Sequence, residues 1–161
     1  MNIALIEHGR PVAGVVLAPA LRELFCAQQG QGAWKRDAQG AWRAIAVGAR
    51  HSPLRVMGSR SHGTDQLAQW LARLPEASIL MESGSSLKFC RIAEGQADLY
   101  PRFGPTSQWD TAAAQAVLEA AGGSVCDLQG RALAYGLDRP LLNPEFIASA
   151  HRDGPMPGRA P

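Results

Sequence analysis

The stretch GPTSQWDTAAAQAVLEAAGG, Gly104 to Gly123, anchors the reading of this chain. Ala113, Ala116, Val117 and Ala120 recur at helical spacing, which predicts a helix over Asp110 to Ala121, stopped by Gly122-Gly123. One acid, Asp110, opens that helix directly after the bulky Trp109. The helix dipole favours negative charge there, so the carboxylate can face a cation or a phosphate-bound metal. Taken alone, an aspartate at this position is more often a cap than a metal ligand.

Working outward, strands and helices alternate around this element. Upstream, Leu54–Ser59 is a predicted strand, followed by a helix from about Thr64 to Leu74 that places Leu67, Trp70, Leu71 and Leu74 on one face. Ser78–Met81 is a strand, Ser85–Glu94 a helix ending at Gly95, and Ala97–Phe103 a strand. Downstream, Ser124–Leu128 makes a last strand before the Gln129-Gly130 turn. The front of the chain is different in style. Asn2–Glu7 and Val12–Ala18 form a hairpin across the turn residues His8 to Pro11. Leu21–Ala27 is a third strand, and Gly30–Val47 holds further short strands around Trp34 and Trp42. The first two strands are apolar at nearly every position, as strands covered on both faces are. A strand-rich front and an alternating back imply layers of sheet and helix, an α+β or α/β sandwich.

Composition narrows the class. The 161 residues suit one domain, and 46% hydrophobic with 19% charged residues describes a soluble globular protein. A formal net charge of +2 is too small to imply a nucleic-acid partner. No apolar run approaches the roughly 18 residues of a membrane span, and the mean hydropathy is −0.12. Cys26, Cys90 and Cys126 are widely spaced without a CxxC, so they read as reduced thiols of a cytoplasmic protein. Peripheral attachment at the inner membrane face stays open. Residues 153–161, DGPMPGRAP, are expected to form a disordered tail behind a domain over 1–152.

Four segments can carry chemistry. Ser83-Gly84-Ser85-Ser86-Leu87-Lys88 is a Gly/Ser-rich entry to a helix, where Ser85 and Lys88 share a face and can hold a phosphate. An ordinary serine cap with a solvated lysine is the alternative. Lys88 is one of only two lysines among 16 basic residues, so a compact ammonium is used sparingly. Ser59-Arg60-Ser61-His62 lies at the C-terminal end of a strand, where α/β layers bind ligands, and His62 can donate to a phosphate or stack near a base. Arg102 closes a strand and can reach a phosphate bidentately, or simply be solvated. Asp110 is the fourth. The other acids are scattered without an adjacent pair, whereas a catalytic Mg²⁺ site wants several oxygen ligands.

SRSH (59–62), GSSLKFCRIAEGQADLYPRFGPT (84–106) and WDTAA (109–113) followed by AGG resemble the CysQ-type 3'(2'),5'-bisphosphate nucleotidases of the inositol monophosphatase superfamily. NIALIEHGRPVAGVVLAPA at the front and LLNPEF near the end extend the resemblance over almost the whole chain. It implies an α+β fold, an α/β/α/β layered sugar-phosphatase-like sandwich. It also implies Mg²⁺-dependent hydrolysis of 3'-phosphoadenosine 5'-phosphate to AMP and phosphate. By motif position Asp110 is the metal-binding aspartate, which also contacts substrate. Ser85, Lys88 and Arg102 hold the phosphate and ribose region, and His62 sits beside the adenosine. Two departures follow. The family's acidic pair and DPxDGT-type motif, placed upstream of the strand at Asn2, do not occur here, so the chain is expected to correspond to the C-terminal part of the enzyme. Ala114 stands where the family usually has glycine. The expected consequences are little turnover, exposure of Ile3, Leu5, Val12, Val15 and Leu17, and self-association along the hairpin. A non-catalytic nucleotide-binding module, and a phosphatase of inositol phosphates or sugar bisphosphates, are the alternatives.

Overall fold

The computed structural model describes residues 1–58 and 65–151, so the helix start at Thr64, His62 with its SRSH run, and the tail from 153 lie outside the described residues. Five strands form an antiparallel meander: β1 (Asn2–Glu7), β2 (Arg10–Ala18), β3 (Glu23–Gln28), β4 (Gly32–Arg36) and β5 (Trp42–Ile45). His8 and Gly9 both have positive φ, the backbone of a two-residue hairpin turn whose twist matches its strands. The turn is therefore shorter than its residue types suggest. Pro11 falls inside β2, at the register shift between Leu5 and Ile6, where a residue without an N–H is tolerated.

The second sheet is mixed, with spatial order β7-β6-β8-β10-β9. Its strands are β6 (Leu54–Gly58), β7 (Ser78–Glu82), β8 (Leu99–Arg102), β9 (Ser124–Asp127) and β10 (Phe146–Ser149). Helix α1 (Asp65–Leu71) covers one face, where Trp70 and Leu71 join Leu54, Val56, Leu99 and Ile147. Helices α2 (Leu87–Ala93) and α3 (Gln108–Ala120) lie between the two sheets. The layers run helix, sheet, helix pair, sheet. This is the expected α+β architecture, with α2 starting two residues later than predicted and α3 two residues earlier, each ending one residue short of the expected position. Strand β10 has no counterpart in the sequence reading. All four of its residues are buried at the centre of the sheet, so no alternation marks it.

Two devices fix the helix pair. Gly14 on β2 meets the Ala113 carbonyl and Ala116, so the sheet and α3 approach as closely as only small residues allow. Ala114 is fully buried in the same core, which therefore accommodates the methyl group that replaces the family's glycine. Helix α2 is tied to the sheet by an ion cluster: Lys35 pairs with Glu23 and Glu94, Arg91 with both acids, and Arg43 with Glu94. The Glu94 side chain is fully buried within it.

The outer face of the meander lacks a cover among the described residues. The register aligns Ile3, Val15, Cys26, Trp34 and Ala44 in one row, and Leu17 beside Leu24 in another. Ile3, Leu5 and Val15 are 61%, 55% and 37% exposed. The front strands are thus packed on one face, correcting the expectation of burial on both. Val12 and Leu17 are half-buried, so exposure is confined to part of the expected set. Among the described residues no disulfide links the cysteines, and no helix is long and apolar enough to cross a membrane.

Candidate active site

Three elements converge where α2, β8 and α3 meet. The polypeptide enters α2 through Ser85, whose φ of 49° is the left-handed conformation that a residue with a Cβ seldom adopts. Strain of this kind gathers at functional loops. Ser86 takes the cap position but sends its hydroxyl to Asn2 Oδ1 at 2.9 Å, pinning the loop to the first strand. The ordinary serine cap is therefore not what forms.

The solvated lysine does not form either. Lys88 is only 3% exposed, and its Nζ lies 4.9 Å from the centroid of the Tyr100 ring. Tyr100 is wedged edge-on against Phe89 and Phe146, with centroids 5.4 and 5.7 Å away, so the ring that faces the ammonium is rigid. Burial pushes the Tyr100 hydroxyl above the ordinary tyrosine range. The nearby Asp110 charge adds to the effect, while Arg102 opposes it.

Arg102 stands two residues along β8, on the same face of the strand as Tyr100. Its Nε donates to the Gly104 carbonyl at 3.1 Å and its terminal nitrogen to that of Pro105 at 3.0 Å. The half-buried guanidinium is thus not a free fork. Two donors shape its own loop, which leaves the rest of its five N–H groups for a ligand.

Asp110 occupies the first turn of α3 and is exposed. One oxygen accepts from the Ser107 backbone N–H at 2.9 Å, so the carboxylate caps its helix while its other oxygen faces outward. A strap holds this end of α3. Asn143 donates to the Ser107 carbonyl and to Thr111 Oγ1, and Gln108 bonds Gly136 and Pro140. Tyr135 donates its hydroxyl to Gln115 Oε1 at 2.6 Å. The sequence gives no signal for Tyr135, and Gln108 and Ser86 stand there only inside longer quoted runs. Asn143 appeared only within the LLNPEF run, and no local pattern separates its strap role from that of a turn residue.

Lys88, Arg102 and Asp110 thus lie on α2, β8 and α3, with Ser85 in the loop that enters α2, while His62 lies outside the described residues. Beside the junction is an apolar cleft of about 280 Å³ lined by Asn2, Ile6, Trp109, Ala112, Tyr135 and Leu141.

The inositol monophosphatase family model matches residues 1–155. The chain belongs to that family. Within the inositol monophosphatase family, it is 51% identical to the 3'(2'),5'-bisphosphate nucleotidase CysQ of Salmonella typhimurium, over 91% of this chain and 58% of that protein. It is 48% identical to the CysQ of Escherichia coli strain K12, over 94% of this chain and 60% of the other. The crystal structure of CysQ from Bacteroides thetaiotaomicron superposes with a TM-score of 0.83 at 35% identity, covering 92% of this chain and 61% of that one. The chain therefore spans about 60% of the length of these relatives.

Members of the inositol monophosphatase family are generally metal-dependent. Among the described residues, no three His, Cys, Asp or Glu side chains are grouped so as to hold a metal ion. Magnesium takes near-octahedral oxygen ligation, usually with one or two carboxylates plus substrate phosphate. Asp110 offers one outward oxygen. The described residues do not by themselves make a magnesium site.

Proposed function

We propose that this chain carries the nucleotide-binding junction of a 3'(2'),5'-bisphosphate nucleotidase, the enzyme that releases the 3'-phosphate of 3'-phosphoadenosine 5'-phosphate to leave AMP. The observation that carries the reading is 48–51% identity, over more than nine-tenths of this chain, to proteins named for that activity. The site chemistry supports it. Lys88 and Arg102 bring two cations toward a phosphate at one junction, and Asp110 keeps one carboxylate oxygen outward for the Mg²⁺ that the full reaction uses. His62 contributes beside the adenosine and Ser85 at the phosphate loop. The cytoplasm is the compartment that suits this substrate.

The lone carboxylate favours a second reading, a module that binds nucleotide without turning it over. Calorimetry with adenosine 3',5'-bisphosphate, with and without Mg²⁺, and phosphate-release assays separate the two. Binding with phosphate release at background is expected for this chain. Magnesium-dependent release that disappears in Asp110→Asn overturns the inactivity of the chain and supports the enzyme in full. Absence of nucleotide binding overturns both readings.

The bare face of the meander also makes self-association part of this proposal. Sedimentation should show a concentration-dependent dimer that Val15→Lys weakens. A monodisperse monomer at every concentration refutes it.

A further inference from the structure

We propose that Tyr100 is a positioning residue of the phosphate site, its ring face fixing the ammonium of Lys88. This rests on the nucleotide-binding reading above. Nothing in the sequence singles out Tyr100, yet the structure sets its ring against the ammonium of Lys88. Its ring is clamped at right angles between Phe89 and Phe146 on β10, and it presents one face to Lys88 Nζ at 4.9 Å. A cation held over an aromatic face is attracted by the ring quadrupole, more strongly where water is excluded. Both residues are nearly fully buried, so this attraction is unscreened. The aromatic cluster therefore transmits the rigidity of the second sheet to a flexible cation. A long lysine loses rotamer freedom when a ligand binds. A prefixed ammonium loses less, and that difference appears as affinity.

The ring contact can be read in the wild-type chain, without any variant. Proton NMR should show the Lys88 ε-methylene resonances shifted upfield by the ring current of Tyr100, and their absence there overturns the proposal. Calorimetry with adenosine 3',5'-bisphosphate then reads the role. Tyr100→Leu is expected to weaken binding about tenfold, a cation–π contact in a desolvated site, whereas Tyr100→Phe retains the ring and should keep the affinity within about twofold. A double-mutant cycle separates positioning from packing. In a Lys88→Met background, Tyr100→Leu should cost less than about twofold more, because the group it holds is already gone. An unchanged tenfold loss in that background, or wild-type affinity in folded Tyr100→Leu, overturns the positioning role alone. A wild-type chain that does not bind the nucleotide overturns the nucleotide reading and this role with it.

Discussion

Gly14→Ala is expected to destabilise the fold by about 3 kcal/mol, a value at the upper end of overpacking costs. An ideal Cβ at this position would lie 2.2 Å from the Ala113 carbonyl oxygen and 2.9 Å from Ala116 Cβ. Carbon–oxygen contacts close to about 3.3 Å, so β2 and α3 must part by roughly 1 Å. The obstacle is helix backbone and cannot rotate aside. Every residue from Thr111 to Leu118 is buried, so the displacement is felt along the whole helix. A gap of roughly 0.5–1 Å already forfeits a quarter to a half of each dispersion contact. Against a typical net stability of about 5–15 kcal/mol, the loss is large. For a domain of this size it corresponds to a fall of roughly 6–12 °C in Tm. Urea titration and thermal circular dichroism of the two proteins provide the measurement. Adding Ala116→Gly should restore little, because the carbonyl remains. A change below about 0.5 kcal/mol, or full rescue by Ala116→Gly, would refute the claim that sheet and helix backbones set this distance.

Glu94→Gln leaves Lys35 and Arg91 with Glu23 alone and takes from Arg43 its acidic partner, and removing one partner of a buried pair costs about 3–5 kcal/mol; urea unfolding reads it, and a near-neutral result shows that the cluster relaxes. Tyr135→Phe strips the donor from Gln115 Oε1 in a buried network and should cost about 1–3 kcal/mol, measured in the same titration. Asp110→Asn retains an oxygen for the Ser107 N–H, so stability should hold within about 0.5 kcal/mol in the same titration. Acid should weaken the fold through Glu23 and Asp127. Burial, the largest single influence, pushes both carboxyls up, but it is outweighed: Arg91 and Lys35 hold Glu23 below its ordinary range, and the Arg131 and Gln129 N–H groups with the Arg131 side chain do so for Asp127. Their contribution is complete above the unfolded pKa, near pH 4 to 4.5, and is lost as pH falls through the lower folded values. Urea midpoints from pH 6 to 3 should decline, less steeply in Glu23→Gln.

Local sequence alone determined the elements whose signals are short-range. The spacing of Leu67, Trp70 and Leu71 gave α1, the alanine-rich face and the Gly122-Gly123 stop gave α3, and His8-Gly9 gave the first hairpin. The same motifs singled out Ser85, Lys88, Arg102 and Asp110, because backbone conformation and charge are written into a few consecutive residues. What those side chains do was decided by tertiary contacts. Lys88 is buried over Tyr100 because α2 and β8 meet at the aromatic cluster of Phe89, Tyr100 and Phe146, the last of which comes far later in the chain and is brought beside Tyr100 by the pairing of β8 with β10. Arg102 bends onto its own loop, and Asp110 caps its helix under a strap from Asn143. Strand β10 exists only because β8 and β9 flank it, with burial on both faces erasing any periodic pattern. Periodicity records which face of an element is wet, whereas the partner across that face belongs to distant parts of the chain and becomes known only once they pack.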